Sequence, residues 1–184
     1  TGSGQSLVAG PPRPVAAHSA ILPDLVAWAR QIAGLTKTGH TADALAAMLI
    51  HSRHLQTVAR AQHDAIVPIL SGQGDDIVAD AITALQAAAE VAEIDDSMMT
   101  AIRRLRQRSA LAVALADLAD THTIAMQMRW LSDAADAAIA CTVRYLLRQA
   151  TMRGQINETE GPVDRACGWT ILALGKLGAR ELNY

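Results

Sequence analysis

Phenylalanine is absent from this sequence, and three tryptophans and two tyrosines make up its aromatic content, 3% of 184 residues. A chain that is still 51% hydrophobic must fill its core with small aliphatic side chains, which suits closely packed helices. Cysteine is scarce too. Cys141 and Cys167 stand alone, outside any CxxC or metal-ligand spacing, so a reduced, cytoplasmic setting is expected. Charge of one sign is not in excess: the formal net charge is −2 and the pI about 6.3, which gives no global electrostatic case for nucleic acid or an anionic membrane. No uncharged apolar run reaches the roughly 18 residues of a bilayer span, and the first residues lack a charged-then-apolar signal pattern. Neither nucleic acid nor membrane is an expected partner.

What remains is mostly helical in pattern, and the fold class expected is all-α. Gly, Ser and three prolines in residues 1–15 resist regular structure, so residues 1–21 read as an extended leader, and the bundle proper is expected over residues 22–153. A short helix follows Pro23 over residues 24–33, stopped by Gly34. Thr41 caps a helix running to about Ala61, with Leu45, Met48, Leu49, Leu55 and Val58 at helical steps. A short segment covers residues 63–70. Asp75 and Asp76 open a helix to Val91, and Asp95, Asp96 and Ser97 open another to about Ala119, with caps expected at Asp76 and Asp96. The last long helix, residues 122–153, carries Met126, Trp130, Leu131, Ala134, Ala138, Cys141, Tyr145 and Leu146 on one apolar stripe and ends at Gly154. Residues 154–167 read as a linker. Residues 169–174, Trp-Thr-Ile-Leu-Ala-Leu, form a nearly continuous apolar run that predicts a buried strand opening a further unit over residues 168–184.

Several constellations carry little chemistry on inspection. Arg103, Arg104, Arg106 and Arg108 point to several faces of one helix, so a solvated or salt-bridged surface is expected. His51 and His54 have a spacing that could place both on one metal but lack an acidic ligand set, and read as surface histidines. No Glu-x-x-His pair occurs, which argues against a di-iron bundle. Cys141, Trp130 and Tyr145 read as core residues.

The informative segment directly follows the predicted strand: Gly175, Lys176, Leu177, Gly178, then Ala179, Arg180, Glu181, Leu182 and Asn183. A glycine turn leading from a strand brings backbone N–H groups close to phosphate oxygens, with Lys176 adding positive charge. Gly175, Lys176 and Gly178 are therefore candidate phosphate-binding residues, with Gly178 expected to allow close approach and a left-handed conformation. It is not a P-loop, because Gly168 to Gly175 has the wrong spacing and Leu177 stands where Ser or Thr should meet magnesium.

This string resembles the first-copy signature of the glutamine synthetase adenylyltransferase/deadenylylase family, which reads GKLG, two variable positions and ELN before an acidic Ser-Ser-Asp-x-Asp. Residues 102–118, basic then aliphatic, and residues 131–137, Leu-Ser-Asp-Ala-Ala-Asp-Ala, are similar to upstream helices of the same family. The resemblance implies an α-helical bundle leading into the first strand of a nucleotidyltransferase domain. It also implies a parent enzyme that adenylylates a tyrosine of glutamine synthetase and removes the AMP by phosphorolysis, using ATP, phosphate and Mg2+ and answering to a nitrogen-regulatory signalling protein. The magnesium carboxylates would fall after Tyr184, so the chain reads as an inactive fragment with no catalytic residue and no metal ligand of its own. The rival reading is a non-catalytic helical interaction module in which the glycine motif is only a turn.

Overall fold

The computed structural model describes residues 16–157, 165 and 168–183. Seven α-helices precede the glycine segment among these: α1 (Ala16–Ala29), α2 (Ala42–Leu49), α3 (Arg53–Ala61), α4 (Ile66–Leu70), α5 (Gly74–Val91), α6 (Asp95–Leu118) and α7 (Ile124–Met152), with 3-10 turns at Leu35–Thr38 and His63–Ala65. The three long helices α5, α6 and α7 pack on one another, α3 and α4 pack against α6, and α1 packs on α2. The all-α expectation holds. Cys167 lies outside the described residues.

Local chemistry explains most boundaries. Thr41 caps α2 as expected, its hydroxyl accepting from the Ala44 N–H at 3.1 Å. The single helix expected over residues 41–61 is broken, because Ser52 is extended and caps α3 by accepting from Leu55 N–H at 3.1 Å. Gln56 fills the gap by donating to the Leu49 and Ile50 carbonyls at 3.2 and 3.3 Å, which satisfies the orphan end of α2. Asp76 and Asp96 are first-turn residues rather than caps: α5 starts at Gly74, and α6 starts after an extended Ile94. Their charges still face the positive helix ends. Helix α1 begins at Ala16, inside the leader expected over residues 1–21, and runs through Pro23. The chain then passes through Gly34, left-handed at φ 83°.

Two buried aromatic residues on α7 set how the long helices sit. Trp130, 2% exposed, donates its indole N–H to Asp75 at 2.5 Å. Tyr145, 3% exposed, donates its hydroxyl to Asp95 at 2.7 Å. Each acceptor is a first-turn carboxylate, so one buried donor on α7 is satisfied at the start of α5 and another at the start of α6. Arg148 binds the carbonyls of Ala89, at 3.1 Å, and Ala92, placing a cation at the negative end of α5. Cys141 packs in the same core among Leu85, Met98 and Leu105. Leu146, expected on the apolar stripe, is instead 55% exposed.

Gly74, the first residue of α5, is buried under the Trp130 ring, and a Cβ there would overlap ring atoms. Replacing Gly74 with Ala is therefore expected to cost about 1–3 kcal/mol in urea unfolding, as overpacking does. Adding Trp130→Leu should recover part of that loss, a non-additivity that separates overlap from backbone effects. A variant as stable as wild type would contradict this packing.

The Tyr145 phenol is raised above its ordinary value of 10.0, first by the hydrogen bond to Asp95, then by desolvation and by the Asp95 charge, against smaller lowering by Arg153 and Arg148. The folded state then holds the proton more tightly than the unfolded chain. The resulting stability is present below pH 10 and is lost as pH rises through the folded value. Wild type should lose denaturant resistance above pH 10 more steeply than Tyr145→Phe, and parallel curves would contradict the linkage.

Candidate functional site

The residues leading into the glycine motif do not form the strand expected over residues 169–174. Trp169, Ile171, Leu172 and Leu174 are between 53% and 82% exposed, and no strand occurs among the described residues. A strand exists through ladder bonds to a neighbour, and this run has none to join.

The motif itself closes into one helical turn, Gly175–Gly178, entered from an extended Leu174. The turn ends in a Schellman arrangement: Arg180 N–H donates to Leu177 O at 3.0 Å and Glu181 N–H to Lys176 O at 2.7 Å, with Arg180 left-handed at φ 60°. That conformation costs a non-glycine residue roughly 1–2 kcal/mol. The left-handed glycine is Gly175, at φ 57°. Gly178 does not share it, and its need for glycine is steric, since a Cβ would lie 2.5 Å from the Ala173 carbonyl oxygen. Lys176 donates its ammonium to Asn183 Oδ1 at 2.7 Å and is solvent-exposed. The three predicted residues, Gly175, Lys176 and Gly178, thus share one exposed turn whose first N–H groups have no intrahelical acceptor.

The structure adds a support that local sequence did not show. The Arg180 guanidinium reaches α7, bonding Asp136 Oδ2 at 2.8 Å through one nitrogen and Asp133 through another. The Leu182 N–H meets Ser132 Oγ at 3.4 Å. At 3.6 residues per turn, Ser132, Asp133 and Asp136 lie on the side of α7 away from the stripe of Trp130, Cys141 and Tyr145. So α7 holds the bundle on one face and the glycine segment on the other. Residues 131–137 and 175–183, both marked out in the sequence, are neighbours. The local clue was the i, i+3 spacing of Asp133 and Asp136, which matches a forked cation, but nothing nearby named the cation.

The described residues do not make a magnesium site. No group of three or more His, Cys, Asp or Glu among them could hold a metal, and the two α7 carboxylates that reach this segment are paired with Arg180. His51 lies in the break between α2 and α3 and His54 on the first turn of α3, so they do not share one helix face. Of the four arginines, Arg108 pairs with Asp64 and bonds Gln62 Oε1 at 3.1 Å, tying α6 to the end of α3. Arg103, Arg104 and Arg106 are exposed.

The family described as Glutamate-ammonia ligase adenylyltransferase matches residues 31–184. A Brucella suis protein named bifunctional glutamine synthetase adenylyltransferase/adenylyl-removing enzyme is 33% identical over 174 residues, 90% of this chain and 18% of its own length. Proteins of the same name from Mesorhizobium japonicum and Agrobacterium fabrum are 34% and 31% identical over 82% and 77% of the chain, each over 15% of its own length. The chain thus spans less than a fifth of these relatives. No solved structure matches it.

Replacing Gly178 with Ala should push the turn off the Ala173 carbonyl. Amide exchange at Ala179, Arg180 and Glu181 is expected to quicken by about tenfold while the amides of α5–α7 keep their rates, as for a local opening. Unchanged exchange at those three amides would show that the turn absorbs a methyl group.

Proposed function

Because the chain belongs to the Glutamate-ammonia ligase adenylyltransferase family, we propose that it forms the helical part and the entry to a nucleotidyltransferase core in a protein that adenylylates and deadenylylates glutamine synthetase. Nitrogen assimilation would be the process regulated, with a nitrogen-regulatory signalling protein as the second partner. The 184 residues on their own are inactive in this reading. The observation that carries it is the exposed turn, with Gly175, Lys176 and Gly178 together and the segment tied to α7. Residues 169–174, exposed and largely apolar, would take up their ladder as a strand against the core they lead into.

In deadenylylation a phosphate oxygen attacks the phosphorus of tyrosyl-AMP. The P–O bond to tyrosine breaks, giving ADP and the free tyrosine. In adenylylation, a separate reaction, the tyrosine oxygen attacks the α-phosphorus of ATP and pyrophosphate leaves. The turn's share is binding: N–H groups at its start face phosphate oxygens, Lys176 exchanges Asn183 for the anion, and Gly178 lets the turn close against the Ala173 carbonyl and so sets the direction of those N–H groups. Magnesium would neutralise phosphate charge in such chemistry, and no residue described here is given that task.

The test uses Gly178→Val in the whole protein that contains this chain. Deadenylylation per folded molecule should fall by about tenfold or more, with weaker use of phosphate, as for loss of a positioned anion contact. Thermal unfolding measured beside it separates misfolding from chemistry. Wild-type activity per folded molecule would refute the phosphate role. Chelator-sensitive turnover by the 184 residues alone would refute their inactivity. A second reading, a non-catalytic interaction module, is favoured by a groove of about 750 Å³ between α3, α6 and α7, lined by Leu55, Leu105, Ala114, Leu131 and Ala138. It predicts that Gly178→Val changes no rate.

A further inference from the structure

We propose that Arg180 is a positioning residue, which locks the glycine turn to the outer face of α7 through Asp133 and Asp136 and so presents it to its ligand already in place. The proposal rests on the reading of that turn as a phosphate-binding element.

Three observations carry it. First, Arg180 occupies the left-handed position that closes the turn, where glycine is the favoured residue, so the side chain must offset what its backbone costs. Second, its guanidinium uses two nitrogens on two carboxylates one helical turn apart, a fork geometry that lysine cannot reproduce. Third, residues 168–176 are all exposed, so that among the described residues the segment is held by the half-buried Leu177 and Leu182 and by the polar ties of Arg180 and of the Leu182 N–H to α7. The three groups are partly solvated, with side chains 36–50% exposed, so each pair alone is weak. Acting together on a short segment, they set the fraction of molecules in which the turn is docked. The apparent affinity for a ligand of the docked turn falls in proportion to that fraction.

Arg180→Gly separates the side chain from the backbone. Glycine suits the left-handed position, so a residue that merely ends the turn would be improved by this change. If Arg180 positions the turn, amide exchange at residues 176–182 of the 184-residue chain should instead quicken by about three- to tenfold, given the modest strength of partly exposed pairs. Asp133→Asn with Asp136→Asn should reproduce the effect, and Arg180→Lys, keeping one pair, should fall between. In the whole protein, Arg180→Gly should raise KM for inorganic phosphate by about three- to tenfold and leave kcat within about twofold, the pattern of lost pre-positioning. Slower exchange in Arg180→Gly, or faster exchange with KM unmoved, would overturn the proposal. If the wild-type protein shows no phosphate-dependent turnover at all, the functional reading fails, and exchange in the variants alone decides whether the clamp exists.

Discussion

The hydrogen bond from the buried Trp130 indole to Asp75 governs the placement of α7, and much of the molecule follows from that placement. The ring occupies the space that Gly74 leaves at the start of α5, so the indole is fixed both by shape and by a charge-assisted bond. The Tyr145–Asp95 bond repeats the device four turns along α7, at the start of α6. With two buried donors satisfied at the starts of two different helices, α7 has little freedom to rotate about its axis. Which of its residues face outward is thereby decided. Asp133 and Asp136 are on that outward side, and with the buried Ser132 beside them they hold the glycine segment. The core thus fixes the frame on which the candidate site is mounted.

The helices were legible because their signals are local. Thr41, the paired aspartates before α5 and α6, Gly154 and the 3–4 spacing of leucines each act over a turn or two. What misled was also local. Ser52 breaks one expected helix into two because its hydroxyl competes for the Leu55 N–H, a role that helical periodicity alone does not reveal. Pro23 marks a boundary by its local chemistry, yet α1 runs through it. The strand over residues 169–174 was inferred from apolar content, which describes what a segment could bury but not whether a partner is present to pair with it.

The glycine turn was legible as a motif, and Gly175, Lys176 and Gly178 do share one turn. Its mounting was not, because Arg180 and its two aspartates are 44 and 47 residues apart in sequence. Local spacing offers Asp133 and Asp136 as a pair for a forked cation, but nothing near them names Arg180. The division of glycine roles also needed coordinates: Gly175 is needed for its backbone angle, Gly178 for the closeness of the Ala173 carbonyl.

A phosphate-binding turn carried on α7 is tested most directly by titrating inorganic phosphate into the isotopically labelled 184-residue chain and following its backbone amide resonances, against chloride of equal ionic strength. The account predicts saturable shifts confined to Gly175, Lys176, Leu177 and Gly178, with the amides of α5 and α6 unmoved. Shifts that appear only around Arg103, Arg104 and Arg106, or that chloride reproduces, would contradict it.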